Sequence, residues 1–316
     1  MTAENTTTGP RARLFDAESL ARRIKDEVKT TVDSLVKDLG LRPGLAAIRV
    51  GDDPASAVYV RNKIRACEEV GIRSEHHALP PSTSTSQLLD LIASLNADRE
   101  VDGILAQLPM PADIDETAII EAIDPMKDVD GFHPMNAGKL AMGRPEFIPC
   151  TPSGIIELLA DNRIELRGAN ACVVGRSQIV GRPMAQLLLR EDATVTICHS
   201  RTRDLAAVTR TADVLVVAIG KPGFIGRDHI KPGAVVIDVG MNQVSDRGEV
   251  RALFGADAGK RLDAVAKRGY TLVGDVNPAE AMEVAGMLTP VPGGVGLLTV
   301  AMLMKNTLRA ANLRRM

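Results

Sequence analysis

In the stretch YVRNK (59–63), Tyr59 and Lys63 stand four residues apart, so a helix would set them on one face, a turn from each other. A lysine beside a phenol and shielded from water gives up part of its ammonium basicity and becomes able to pass protons. Most Tyr/Lys pairs at this spacing only decorate a solvated face, so the spacing by itself leaves the matter open. Gln107 ends the apolar run GILAQ (103–107) and is followed by Leu108 in LPMP; its amide can cap a loop or steady a lysine. Asp128 and Asp130 sit in DPMKDVDGFHP (124–134), as turn caps or as acids of a site. His133 in that segment has no partner at metal-ligand spacing and is not read as a ligand. Further on, TPVPGGVG (289–296) places Pro292, Gly293, Gly294, Val295 and Gly296 just ahead of an apolar helix. These residues make either a flexible turn or a loop whose backbone a ligand can approach.

The elements around these residues decide whether they can meet. Residues 11–40 read as one amphipathic helix through Leu14, Leu20, Ile24, Val28, Val32 and Leu35, ended by Gly40. GLAAIRV (44–50) is a buried strand, and Asp52, Asp53 and Pro54 turn the chain into a helix over about 55–70 that stops at Gly71. A strand at 72–79, a helix from Gln87 to Leu95 and a strand at 103–108 complete a β-α series, the pattern of a parallel sheet covered by helices. Gln107 then lies at the carboxyl end of a parallel strand, where ligands of such sheets bind, and the YVRNK helix starts at the same edge. From Leu108 to Pro152 the chain reads as an active-site edge and a connection. Thr151-Pro152 reads as a helix cap with proline at the first helical position.

A second series follows, with strands at 171–175, 194–198, 213–220 and 234–240 and helices at 181–190 and 204–210. Residues 245–270 are charged and less regular, like an insertion. The last segment, 297–313, is a helix with an apolar face that can pack back onto the first series. In ACVVGRSQIVG an apolar strand ends at Gly175 and a second glycine, Gly181, opens a helix. This layout brings a phosphate to free helix N–H groups, although the spacing is not G-x-G-x-x-G, and a plain βα turn needs a glycine too. Arg176 and Ser177 follow the first strand. The second ends in Cys198-His199-Ser200-Arg201, with no acid to hold ribose hydroxyls. Cations and hydroxyls there suit a 2′-phosphate, so the cofactor expected is NADP rather than NAD.

The chain has 316 residues, room for two domains at roughly 100–200 residues each. Its 38 basic and 40 acidic residues leave a formal charge of −2, which gives no reason to expect nucleic acid or a membrane surface as partner. Cys67, Cys150, Cys172 and Cys198 are widely spaced and read as buried thiols of a reducing compartment, the cytoplasm. The start, MTAENTTTGP, is polar and reads as a short disordered segment rather than a signal peptide.

YVRNKIRACEEVGI, GILAQLPMP, DPMKDVDGFHP, VVGRSQIVGRPM, VVAIGKPGFI, VVIDVGMN and TPVPGGVG together resemble, in order, the motifs of the bifunctional methylenetetrahydrofolate dehydrogenase/methenyltetrahydrofolate cyclohydrolase family. The resemblance runs from about residue 12 to the last helix. It implies two α/β domains: a folate-binding catalytic domain over 11–150 plus 296–316, and a Rossmann-like NADP-binding domain over 151–295. It also implies NADP-dependent oxidation of 5,10-methylenetetrahydrofolate, hydrolysis of the product to 10-formyltetrahydrofolate, and a homodimer. By the same resemblance Lys63 is the catalytic lysine of the hydrolysis, Tyr59 packs on the folate, Gln107 tunes the lysine and Asp130 bonds the pterin. Leu108 and the loop Pro292–Gly296 are substrate-side. Gly175, Arg176, Ser177, Ser200 and Met241 match the family's cofactor positions, and Arg201 joins them on the reading of the strand tip as a 2′-phosphate site.

The sequence departs from the family where Leu297-Leu298-Thr299 replaces the common Pro-Met-Thr, where Met241 replaces isoleucine, and in a longer 251–270. An NADP-dependent dehydrogenase without effective cyclohydrolase activity is the alternative. A short-chain dehydrogenase using Tyr59 and Lys63 fits less well, since its glycine turn precedes its Tyr/Lys pair. A non-catalytic NADP sensor fits less well because Lys63 and Gln107 are both kept.

Overall fold

The first described strand of the computed structural model, β1 (Arg13–Leu14), is only two residues long. The structure describes residues 11–315, so the expected disordered start lies outside the described residues. The helix expected over 11–40 begins late, as α1 (Ala17–Leu39). The reason is long-range: the N–H of Arg13 donates to the C=O of Gly286 at 2.9 Å, and that of Phe15 to Leu288 at 3.1 Å. These backbone groups find partners in a distant strand before a helical turn can claim them.

Two units divide the described residues, one of Glu18–Glu157 with 297–315, the other of 11–17 with Leu158–Gly296. In the former, β2 (Gly44–Val50), α2 (Pro54–Val70), β3 (Arg73–Leu79), α3 (Thr85–Ala97) and β4 (Gly103–Ala106) alternate. Their three strands form a parallel sheet in the order β3-β2-β4. Alternation does the sorting: Ala46, Ile48 and Val50 share one face of β2 and pack with Leu88, Ile92 and Leu95 of α3. Both ends of α2 are specified locally. The Asp53 carboxylate accepts the Ser56 N–H, and Gly71 closes the helix at φ 81°. The connection from Leu108 to Pro152 is more regular than expected, holding α4 (Glu116–Ala122) and α5 (Pro134–Ala141). α6 (Cys150–Asp161) takes in Cys150, so Thr151 is not its cap but part of its first turn.

In the other unit come β5 (Asn170–Val174), α7 (Gly181–Arg190), β6 (Thr194–Cys198), α8 (Leu205–Thr209), β7 (Val214–Val217) and β8 (Val235–Asp238). They are followed by β9 (Asn242–Val244), α9 (Arg247–Phe254), α10 (Gly259–Arg268), β10 (Thr271–Val273), α11 (Pro278–Val284) and β11 (Met287–Leu288). Six strands make a parallel sheet in the order β1-β11-β8-β7-β5-β6. The chain leaves β5 for one neighbour and returns on its other side, so the winding reverses at β5. β9 and β10 form a separate antiparallel ribbon. The stretch 245–270 is not irregular. It is two helices joined by a 3-10 turn at Gly255–Ala258, with a core of their own from Val250, Leu253, Phe254 and Ala258 against Val244 and Val273 of the ribbon.

The final helix, α12 (Val295–Arg315), carries no single apolar face. From Ala301 to Ala311 only Lys305 and Arg309 are exposed. Two of its buried polar side chains find partners: Asn306 donates to the carbonyls of Val129 and Ile148 at 2.8 and 3.0 Å, and the Thr307 hydroxyl to Leu303 at 2.8 Å. All four cysteines are free and buried. Among the described residues no helix is long and apolar enough to cross a membrane.

Candidate active site

Lys63 projects from α2 with 8% of its surface exposed and donates to the Gln107 side-chain carbonyl at 3.1 Å. Gln107 stands directly beyond β4, where its N–H donates to Ile48 of β2 at 2.9 Å. Its Nε2 donates to the Leu108 carbonyl at 2.6 Å. That second bond fixes the amide so that oxygen, not nitrogen, meets the ammonium. Tyr59 lies one turn before Lys63 on α2 and is partly exposed; burial raises its phenol pKa, which keeps the hydroxyl protonated and able to donate.

Asp128 and Asp130 differ in what surrounds them. The Asp128 carboxylate accepts the N–H groups of Gly131, Phe132 and His133 at 3.1, 3.2 and 2.8 Å, and the Asn136 amide at 2.8 Å. It shapes the loop and has little capacity left for a ligand. The carboxylate of Asp130, two residues on, has no hydrogen bond to another described residue. Burial pushes its pKa up to about 6, the Lys63 ammonium pulls against that rise, and Asp128 adds to it. Gly131 turns the backbone beside it at φ 73°, pressed so closely on Ile148 and Pro149 that a Cβ would come within 2.8 Å of backbone. His133 is occupied as the cap of α5, its Nδ1 accepting the Met135 N–H at 3.0 Å. A shielded ammonium steadied by an amide, with an unpartnered carboxylate whose charge it feels, can pass a proton and hold a ligand rich in N–H donors.

The cofactor candidates gather at the carboxyl end of β5 and β6. The Gly175 N–H donates to the Cys198 carbonyl at 2.9 Å, which sets the glycine turn beside the tip of β6. Both glycines are required by space: a Cβ on Gly175 would lie 2.2 Å from the Ala218 oxygen, and one on Gly181 2.4 Å from the Gly175 oxygen. The Ser177 hydroxyl accepts the N–H groups of Val180 and Gly181 at 3.2 Å each, so its proton points away from the start of α7. Arg176, Ser177, Ser200 and Arg201 are all exposed, and neither arginine has an ion-pair partner among the described residues. Hydroxyls and uncommitted cations at a winding reversal, with no acid at the strand tip, fit a phosphorylated dinucleotide. Met241 meets the other predicted loop, since a Cβ on Gly296 would lie 3.0 Å from its methyl carbon. Pro292–Gly296 itself turns through Gly293 at φ 99°.

The sequence reading misses several residues that hold these groups in place. Lys127 is fully buried and caps the C-terminus of α3 by donating to the carbonyls of Leu95, Asn96 and Asp98 at 2.8, 2.8 and 2.7 Å. Burial lowers its pKa to about 8, and Arg314 adds to the fall. Three carbonyl acceptors match the three donors of an ammonium, so the charge is met where it is buried. The Asp275 carboxylate collects the N–H groups of Ile219, Gly220 and Lys221 at 2.6, 2.9 and 2.8 Å and thereby shapes the loop after β7. Asp238 accepts from Gly240, Asp275 and Val276 at 3.0, 2.8 and 3.0 Å. An acid closing an apolar strand, as in VVIDVG, is the one signal that marks Asp238 in the sequence.

Known proteins match the chain along nearly all its length. The family described as "Tetrahydrofolate dehydrogenase/cyclohydrolase, catalytic domain" matches residues 15–130, and its "NAD(P)-binding domain" matches 149–315. The bifunctional protein FolD of Koribacter versatilis is 55% identical over 304 residues, covering 96% of this chain and 98% of that protein. Among solved structures, the bifunctional FolD of Campylobacter jejuni has a TM-score of 0.86 at 42% identity, over 96% of this chain and 99% of the other. The methylenetetrahydrofolate dehydrogenase-cyclohydrolase of Trypanosoma brucei, solved with NADP cofactor and an inhibitor, has a TM-score of 0.88 at 38% identity, over the same shares of the two chains, 96% and 99%.

Proposed function

The chain belongs to the tetrahydrofolate dehydrogenase/cyclohydrolase family, and we propose that it oxidises 5,10-methylenetetrahydrofolate to the 5,10-methenyl cation and hydrolyses that cation to 10-formyltetrahydrofolate. The observation that carries this reading is the hydrogen bond from Lys63 to Gln107 at the carboxyl edge of the β3-β2-β4 sheet, with the open carboxylate of Asp130 acting on the same lysine. NADP, when bound beside Gly175, would supply the acceptor for the hydride of the methylene carbon. The folate nitrogens supply the electron density for that step, so the protein has mainly to align its substrate. Asp130 accepts N–H donors of the pterin, Tyr59 packs on its ring, and Leu108 and Pro292–Gly296 complete the substrate side.

Hydrolysis asks more of the side chains. Water adds to the cationic carbon and loses one proton. The bond from that carbon to the ring nitrogen N5 then breaks as N5 gains a proton and the new hydroxyl gives up its own to become the formyl oxygen, so one proton is released overall. Lys63 handles these protons, with its position set by Gln107. Gly175, Arg176, Ser177, Ser200, Arg201 and Met241 hold the cofactor. Mixing the chain with methylenetetrahydrofolate and NADP tests the proposal. NADPH must appear, and the methenyl absorbance must rise and then decay faster than in buffer. A persistent methenyl absorbance would leave a dehydrogenase alone, and no NADPH would overturn the whole reading.

The choice of NADP over NAD rests on Arg176 and Arg201. Replacing both by alanine should raise KM for NADP by roughly 30-fold, the size expected for losing charge-assisted bonds to a phosphate, and should leave KM for NAD nearly unchanged. Equal losses with both cofactors would remove these arginines from 2′-phosphate recognition.

The active form we propose is a homodimer. β6 is an edge strand with Ile197 43% exposed, and an unpaired edge of this kind is a template for a second copy. A monomeric mass by light scattering would rule this out. The four reduced thiols suit a cytoplasmic enzyme whose formyl product feeds one-carbon transfer such as purine assembly.

A further inference from the structure

The helical excursion between β9 and β10 has no part in the chemistry above, yet one of its cations reaches the substrate-side loop. Arg261 on α10 donates from Nη2 to the Val291 carbonyl at 2.6 Å and from Nη1 to the Leu272 carbonyl of β10 at 3.4 Å. Its guanidinium lies 4.7 Å from the ring centroid of Phe254, the last residue of α9. No carboxylate pairs with it among the described residues, so its donors are directed at backbone. α9, α10 and β10 thus meet at one guanidinium, and that guanidinium holds one carbonyl of the substrate-side segment. That carbonyl belongs to the residue immediately before Pro292.

The loop it precedes is built to be shaped from outside. Its non-helical part, Pro292–Gly294, has two glycines, the residue type with most backbone freedom to lose, while Val295 and Gly296 already belong to the first turn of α12. Gly294 is pressed so tightly that a Cβ would lie 2.4 Å from the Pro290 oxygen, which leaves the loop little side chain with which to anchor itself. An arginine fork fixed by stacking and by two carbonyls gives such a loop a defined starting point, and less ordering then remains for the substrate to impose.

We infer that Arg261 is a positioning residue for the substrate loop, and that the α9–α10 excursion is a bracket preorganising Pro292–Gly296 for the folate substrate. The inference rests on the proposed reading that this loop is substrate-side. The test is Arg261→Met in the full chain, with KM and kcat measured for both reactions and the NADP dissociation constant measured without folate. KM for both folate substrates should rise ~10-fold, a loss of binding made in ground and transition states alike, while kcat holds. NADP affinity should stay within about twofold of wild type, showing that the surrounding unit remains folded. Arg261→Lys, which can still donate once but cannot supply the planar fork, should fall between the two.

An unchanged folate KM would overturn the inference, and so would a parallel loss of NADP affinity, which marks a general structural role. If Arg261→Met does not fold, Arg261→Lys is judged by the same criterion, a rise in folate KM without loss of NADP affinity. A wild-type chain that turns over no folate would overturn the proposed function and this inference with it. Normal wild-type turnover with an unmoved KM in the variants would sink the inference alone.

Discussion

Replacing Lys63 with methionine should cost the hydrolysis of the methenyl cation ~1,000-fold in kcat while hydride transfer from methylenetetrahydrofolate stays measurable, the range general acid–base catalysis supplies. The asymmetry follows from what each step needs. Hydride departure is driven by the folate nitrogens and is helped chiefly by alignment, to which Lys63 contributes packing. Hydrolysis needs protons moved on and off at the right moments, and Lys63 is the shielded donor that Gln107 holds at 3.1 Å. Methionine keeps most of the side-chain volume, so loss of packing is kept small. It leaves the Gln107 carbonyl without its donor and removes the cation that now pulls the Asp130 pKa down. A second signature is therefore expected: the pH dependence of folate KM, set by Asp130, moves to higher pH in the variant. Methenyl hydrolysis near the wild-type rate would end the assignment of proton transfer to Lys63. Equal losses in both reactions would instead make it a binding residue.

Much of this site is legible because its local signals agree with its long-range packing. The strand 44–50 and the helix beginning at Pro54 are specified by an apolar run and a capping aspartate, and these two elements alone bring Tyr59 and Lys63 to a sheet edge. Gln107 reads correctly as the end of a parallel strand because GILA alternates nothing, as a strand buried on both faces should. The same logic recovers the glycine turn at 175–181.

What escapes the sequence reading has partners far along the chain. Arg13 and Leu14 look helical by spacing but are claimed by Met287 and Leu288. Lys127 reads as one more charge in an acidic loop, and nothing nearby says that three carbonyls at the end of α3 await it. Asn306 is hidden for the same reason, since its acceptors, Val129 and Ile148, lie far from it in sequence. The 245–270 stretch is misread because its charge density outweighs a small apolar set, Val250, Leu253 and Phe254, whose spacing is helical. Local polarity there is a surface property of helices that carry their own small core.

Asp130→Asn should separate binding from stability. At neutral pH most Asp130 carboxylates are ionised, since the pKa is raised only to about 6. In the proposed role the anion accepts pterin N–H donors through charge-assisted bonds, and asparagine offers one neutral oxygen in place of two charged ones. Folate KM should therefore rise by ~100-fold in both reactions, as for the loss of one or two hydrogen bonds to a charged group. The wild-type enzyme should show a weaker form of the same defect as pH falls through about 6, and the variant should lack that inflection. Stability should move the opposite way. A carboxyl whose folded pKa lies above its ordinary value of 3.8 keeps its proton longer in the folded state. Its ionisation then costs stability progressively as pH rises through about 6, and the cost is complete above that. The neutral amide avoids the cost, so Asp130→Asn should melt higher than wild type at pH near 7.5, by a margin that narrows at pH near 5. A variant that binds folate poorly and also melts lower at neutral pH would show that Asp130 is held by partners in the folded chain. It would then no longer stand as an unpartnered acid kept at a cost to stability because the substrate needs it.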